Sequence, residues 1–293
     1  MNTSRNTDNP FDFDVSAWPA LPRLSGIFVA GTDTGVGKTI VAGAIARHLR
    51  HAGRKVEVFK PVATGCRRTL EGLVSHDAEF LAACADSTRS LAEIAPLRFG
   101  PALAPNVAAR RAGREVELEE IFAAYRRLEG AAQGTIVEGV GGLLCPISDN
   151  FWVIHLARMM QLPLVIVCRA ALGTLNHTLL TIHAARSAGI RVAGVVINRY
   201  RLEGPARQAA EGWRQRPHDQ PDVMDDGLAI FTNPQQIADL GKTEILAIVP
   251  EEEGNSVAKA TLGKDTMYCI GQGPWEKLLT DGMTNSEARM TNQ

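Results

Sequence analysis

Nine residues, Gly31–Thr39 (GTDTGVGKT), constrain this chain more than any other stretch. They follow an apolar run, Ile27–Ala30, and precede a helical pattern, so strand, loop and helix succeed one another. A loop so placed gathers unpaired N–H groups and the positive end of a helix dipole, a ready site for an anion. Gly35 and Gly37 allow the backbone to turn its N–H groups inward around a phosphate, with Val36 between them and Ile40 just beyond. Lys38 can reach β- and γ-phosphates, and the Thr39 hydroxyl can ligate Mg²⁺. The general pattern GxxxxGK[ST] has its first glycine where this chain has Thr32; the glycine here lies one residue earlier, at Gly31. The stretch predicts binding of a nucleoside triphosphate.

The rest of the chain alternates in the way such a loop requires. The 3.6-residue spacing of Ile40, Val41, Ala44, Ile45 and Leu49 predicts a helix over 39–50, closed by basic residues and Gly53. Val56–Phe59, Thr135–Val137, Leu164–Val167, Val192–Ile197 and Ile245–Val249 read as strands. Helices are expected from near Asp77, from near Glu117 through Leu128, near 150–160 and over 174–188. Short apolar strands alternating with helices predict an α/β, P-loop NTPase-like fold, a mostly parallel sheet with helices on both faces. Residues 1–23, acidic and broken by prolines, read as a tail that is loose or draped over the body through Phe11, Phe13 and Trp18. The stretch 200–235 reads as a polar, irregular insertion, and 251–293 shows little core pattern.

Composition narrows the classes of function. A formal net charge of −1 gives no electrostatic case for nucleic acid or an anionic membrane. No segment approaches the roughly 18 apolar residues of a membrane span. The acidic N-terminal stretch does not resemble a secretory signal. Five scattered cysteines without ligand spacing predict reduced, mostly buried thiols in a cytoplasmic protein.

In an open parallel sheet, ligands bind beyond the carboxyl ends of the strands, and each strand here is followed by chemistry. KPVATG (60–65) brings a cation, Lys60, and a hydroxyl, Thr64, to that edge. On residue type alone Lys60 also fits a solvated surface. EGVGG (138–142) sets Glu138 at a strand tip before Gly139, Val140 and Gly141, which suits a Mg²⁺-linked acid beside phosphates. As the blander alternative, Glu138 could cap a turn. Asp77, in SHDA, has a claim as a helix N-cap, and Asn198 as either a base-reading amide or a turn residue. His155, His177 and His183 have no partner pattern and read as packing or surface residues. No GxSxG occurs, which disfavours nucleophilic hydrolysis.

Taken together, GTDTGVGKT, KPVATG, SHDA, VEGVGG (137–142), LGTLNHTLLT (172–181) and AGVVIN (193–198) resemble the dethiobiotin synthetase family. The resemblance covers roughly residues 26–200, and the combination of motifs is its specific part. It implies an ATP-dependent cyclo-ligase of biotin synthesis that joins CO₂ to 7,8-diaminopelargonate, giving dethiobiotin, ADP and phosphate. It implies a ligase domain over 24–250, followed over 251–293 by an adenine-side loop beginning at Pro250 and a C-terminal tail. By matching position, Lys38, Lys60 and Thr34 would be catalytic, and Thr39, Asp77 and Glu138 would hold Mg²⁺. Thr34, Lys60 and Thr64 would contact the diamine or its carbamate, and Asn198 would read adenine. Gly173, Thr174, Leu175 and Asn176 would meet the diamine carboxylate across the two-fold of a homodimer. Arg199 stands where family members often carry Asp, and Glu251–Glu253 make the adenine loop unusually acidic. Cell-division and plasmid-partition ATPases, the alternative switch-protein class, begin their loop with a lysine that Thr32–Thr34 lacks.

Overall fold

A computed structural model describes residues 13–70, 72–201 and 225–280. The chain begins with β1 (Gly26–Gly31), α1 (Lys38–His51), β2 (Val56–Phe59), β3 (Val62–Ala63), β4 (Arg67–Thr69) and β5 (Gly72–Val74). It continues through α2 (His76–Ala85), α3 (Leu91–Ile94), β6 (Leu97–Arg98), α4 (Pro105–Arg111), α5 (Leu118–Arg126) and β7 (Gly134–Gly142). Then come β8 (Pro146–Ser148), β9 (Phe151–Trp152), α6 (Val153–Met160), β10 (Leu164–Arg169), α7 (Thr174–Ser187) and β11 (Val192–Tyr200). The last described elements are α8 (Asp225–Gly241), β12 (Ile245–Pro250) and α9 (Lys264–Gly271).

Six strands form one parallel sheet in the order β12-β11-β10-β1-β7-β2. The chain leaves β1 for the edge at β2, fills the gap with β7, then crosses to the other side of β1 for β10. This reversal at β1 opens a crevice beyond the carboxyl ends of β1 and its neighbours, where the phosphate loop emerges. Side chains alternate across the sheet, as a period of two demands. Phe28, Phe59 and Val137 face a core built with α4, α5 and α6. Ile27, Val29 and Val58 face the opposite core, built on Val41, Ile45 and Leu49 of α1 and Phe80 and Leu81 of α2.

Among the described residues, Phe13, Val15, Trp18 and Leu21 lie draped against the first core. The Arg158 Nη1 donates to the Phe13 carbonyl at 2.7 Å, and the Trp18 ring meets Phe151 at 4.8 Å. His155 is buried, and its Nδ1 accepts the Trp152 N–H at 2.9 Å, the packing role expected of it. The five cysteines are free, and Cys66, Cys84 and Cys168 are buried.

Two stretches differ from their sequence reading. Residues 225–235 are helical, the first part of α8, with Pro234 inside it; the described part of the supposed insertion is therefore regular, and 202–224 lie outside the described residues. Beyond β12 the chain also adds to the core. Helix α9 buries Thr266 and Ile270, and Trp275, Leu278 and Leu279 join the core that holds Val41, Ile45 and Leu49 of α1. Few but large apolar side chains do this, which is why no periodic pattern announces it. Among the described residues, no helix is long and apolar enough to cross a membrane.

Candidate active site

The phosphate loop is pinned at both ends. Its start is tied to β10 by the Thr32 N–H, which donates to Val167 O at 2.9 Å. Its end is Gly37, at φ 94°, which opens α1; Gly35, at φ 75°, provides the other left-handed turn that a residue with a Cβ would resist. Within the loop, Asp33 Oδ1 accepts the Thr34 N–H at 2.6 Å, and Lys38 Nζ donates to the Asp33 carbonyl at 2.8 Å. Lys38 is buried, and burial draws its ammonium below the usual lysine value against the pull of Glu138.

Lys60 follows β2, and its own N–H is held by Ile94 O at 2.8 Å. It is not a solvated lysine: only 3% of it is exposed. Its Nζ lies 2.6 Å from Glu138 Oε1 and 2.9 Å from Asp77 Oδ2, with the Gly139 carbonyl at 3.5 Å. Burial works against the ammonium, but Glu138 and Asp77 together outweigh it and hold its pKa above the ordinary lysine value. Lys60 is therefore charged at neutral pH.

Glu138 is 1% exposed and caps no turn. Its Oε1 also accepts the Thr39 hydroxyl at 2.9 Å, while its buried Oε2 has no hydrogen-bond partner among the described residues. Burial raises its pKa further than Lys60 lowers it. Asp77 is not the cap of α2; that is Ser75, whose side chain accepts the Ala78 N–H at 3.3 Å. Freed from capping, Asp77 turns its carboxylate to Lys60. Burial raises its pKa, and Lys60 and Thr39 reverse this to leave it below the usual range.

A divalent cation fits this donor set. Thr39, Asp77 and Glu138 offer one hydroxyl and two carboxylates, the hard oxygens that Mg²⁺ prefers, and Glu138 Oε2 is an orphaned acceptor among them. Charge points the same way. Lys38, Lys60 and Arg199 line the first cleft against Asp77 and Glu138, a small formal excess of positive charge that falls short of balancing a triphosphate end.

Two adjoining clefts meet here. The first, of about 520 Å³, is lined by Thr34, Gly35, Gly37, Lys38, Thr39, Ile40, Lys60, Thr64, Asp77, Glu138, Val140 and Gly141, among others. The second, of about 450 Å³, runs from Thr32, Asp33 and Thr34 over Gly141–Cys145 to His177, Leu180, Thr181 and Ala184 of α7. Thr34, Gly141 and Cys145 line both.

Some expected residues stand apart from the clefts. Gly173, Thr174, Leu175 and Asn176 line neither in their own chain; the following turns of α7 do. Val36 is buried beneath the loop, and Gly139 packs near Phe28 and Val153. Asn198 is 4% exposed, with its side-chain Nδ2 donating to Val36 O at 2.9 Å. Pro250 ends β12 opposite Tyr200. Sequence reasoning missed the Asp33 brace, Cys145, the 102–105 segment, Val257, and Arg199 as a lining residue. The one available signal was the charge of Arg199, next to Asn198 and near the carboxyl end of β11.

Comparison with known proteins gives the family of the chain. Residues 25–257 match the AAA domain family. The chain is 37% identical over 228 residues to the ATP-dependent dethiobiotin synthetase BioD of Bacillus velezensis, covering 78% of this chain and 87% of the relative. With the protein of the same name from Anaeromyxobacter dehalogenans it shares 39% identity over 240 residues, 82% of this chain and 96% of the relative. Among solved structures, the cell-division ATPase MinD of Pyrococcus furiosus aligns with a TM-score of 0.45 at 15% identity, over 89% of this chain and 99% of that one.

Proposed function

This chain belongs to the ATP-dependent dethiobiotin synthetase family, and from that premise we propose how its two clefts divide the reaction. The first cleft takes ATP, with its triphosphate in the loop Gly35–Thr39. Adenine lies beyond the first cleft, toward Asn198 and Pro250, neither of which lines that cleft. The second cleft takes 7,8-diaminopelargonate, with its amines at the junction marked by Thr34 and Gly141.

One amine of the diamine attacks CO₂, forming a C–N bond and losing a proton to give a carbamate. A carbamate oxygen then takes the γ-phosphoryl group and ADP leaves. The second amine attacks the carbamate carbon, expels phosphate and closes the ureido ring. Negative charge accumulates first on the carbamate and then on the transferring phosphoryl group. Lys38 and Lys60, both fixed by hydrogen bonds, stand beside that charge without having to reorganise. Thr34 and Thr64 position the carbamate with their hydroxyls. Mg²⁺ held by Thr39, Asp77 and Glu138 supplies charge neutralisation on the β- and γ-phosphates.

The observation that carries this reading is the charged Lys60 held between Glu138 and Asp77 in the wall of the first cleft, which joins the second at Thr34, Gly141 and Cys145. The dimer is part of the same proposal. Gly173–Asn176 miss the clefts of their own chain, and Leu172 and Leu180 beside them are 68% and 59% exposed. A two-fold partner would cover this apolar surface and receive the amino end of α7 against its diamine carboxylate. The test is phosphate release from ATP with and without 7,8-diaminopelargonate and bicarbonate, with the product identified by mass. Diamine-dependent release yielding dethiobiotin is expected. ATP turnover indifferent to the diamine contradicts the reading, and full activity in a sedimenting monomer contradicts the shared site.

A further inference from the structure

Asn198 does something that reading adenine does not require. It sits near the end of β11, where its own carbonyl accepts the Ala170 N–H at 2.9 Å, and its side chain reaches past β10 to the loop after β1. There Nδ2 donates to the Val36 carbonyl at 2.9 Å. We propose that Asn198 is a positioning residue that presets the phosphate loop by holding the Val36–Gly37 peptide in one orientation.

A trans peptide is planar, so its C=O and N–H point in opposite directions. With the Val36 carbonyl drawn to the buried Asn198, the Gly37 N–H is turned the other way. Gly37 lines the nucleotide cleft and Asn198 does not, so that N–H is presented to the phosphates before they arrive. The fit leaves no room for a side chain: a Cβ on Gly37 would lie 2.0 Å from Asn198 Nδ2. Two links thus brace the loop, Thr32 to β10 at its start and Asn198 to Val36 near its end. A preset donor binds without the cost of ordering it first.

The proposal rests on reading the cleft as the triphosphate site. Its test uses a ligand with no base, Mg²⁺-tripolyphosphate, alongside Mg²⁺-ATP, on the whole chain by titration calorimetry. Asn198→Ala leaves the Val36 carbonyl without its donor, and both ligands should weaken on the order of tenfold to a hundredfold. Asn198→Asp sets oxygen against oxygen and should weaken tripolyphosphate at least as much. If the variants bind tripolyphosphate as the unaltered chain does and lose only ATP affinity, Asn198 serves the base alone and the proposal is overturned. If the unaltered chain does not bind tripolyphosphate at all, the triphosphate reading itself fails and takes the proposal with it. A readout on the unaltered chain does not depend on the variants folding. By NMR, the Asn198 side-chain amide protons should exchange slowly without nucleotide and remain slow with tripolyphosphate bound. Rapid exchange in both states overturns the proposal.

Discussion

Glu57 and Glu138 are buried carboxylates on neighbouring parallel strands, β2 and β7, and they are served differently. Glu57 lies within β2, level with Thr135 of β7. Its Oε2 accepts the Ser87 hydroxyl at 2.8 Å and stands 3.5 Å from Arg89 Nε. That guanidinium is in turn fixed by Glu93 Oε1 at 3.2 Å and the Arg127 carbonyl at 3.0 Å. Every group in the set joins one piece of the wall to another. Glu138 lies farther toward the carboxyl edge, meets Lys60 and Thr39, and keeps one oxygen without a partner. A buried ion pair gains little net stability once desolvation is counted, so neither set is explained by stability alone. The difference is that the Glu57 set lines neither cleft and its one unpartnered atom among the described residues is a donor, Arg89 Nε, whereas the Glu138 set opens into the first cleft and has an acceptor to spare.

The largest effect should come from the open set. Lys60→Ala and Lys38→Ala each remove a cation from developing charge and should lower ring closure by about 3–4 kcal/mol in barrier, on the order of 10²–10³ in rate. Steady-state kinetics on folded variants checks this. Near-normal turnover by Lys60→Ala would erase the distinction between the two carboxylate sets.

On the closed side, Glu57→Gln should leave turnover unchanged and lower stability by about 1–3 kcal/mol, since Ser87 and Arg89 lose a charged acceptor. Denaturant unfolding measures the stability, and a loss of activity without loss of stability would place Glu57 with Glu138. Truncating its neighbour is milder. Ser87→Ala removes one hydroxyl donor and should cost about 0.5–1.5 kcal/mol in the same measurement, again with turnover intact.

A third carboxylate gives the smallest effect. Glu252 accepts the Thr266 N–H and hydroxyl, both at 2.9 Å, and so fastens the 251–263 loop to the start of α9. Burial raises its pKa, but the Thr266 and Asp265 donors outweigh that and leave it lowered. A lowered folded pKa gives stability that is present above the ordinary value of 4.5 and is lost as pH falls through the folded value. Glu252→Gln should therefore lose a small part of its stability at neutral pH and show a shallower decline on acidification. An unchanged acid limb would mean the carboxylate contributes nothing to holding the loop.

Much of this was legible in the sequence because it is local. The phosphate loop, the strand at 56–59 and the helix over 174–188 are carried by neighbouring residues, and β2 (Val56–Phe59) and α7 (Thr174–Ser187) fall where the pattern puts them. The site was legible as a set of strand-end residues but not as an arrangement. Lys60 and Glu138 are 78 residues apart, and their 2.6 Å contact exists only because β7 inserts between β1 and β2. Asp77 was ambiguous for a local reason, since a carboxylate at the start of a helical pattern fits a cap as well as a ligand, and only the structure gives the cap to Ser75. The closing layer around Trp275 was illegible because three large side chains, Trp275, Leu278 and Leu279, supply it without a repeat. Strands of two or three residues, such as β3 and β8, are too short to show any period.

In the proposed site the spare oxygen of Glu138, with Thr39 and Asp77, would hold the metal at the triphosphate. This is tested most directly by calorimetric titration of ATP at graded Mg²⁺ into the unaltered chain, Glu138→Gln and Glu57→Gln. The unaltered chain and Glu57→Gln should gain ATP affinity with Mg²⁺ alike, while Glu138→Gln loses that gain. Mg²⁺ dependence preserved in a folded Glu138→Gln would contradict this metal site.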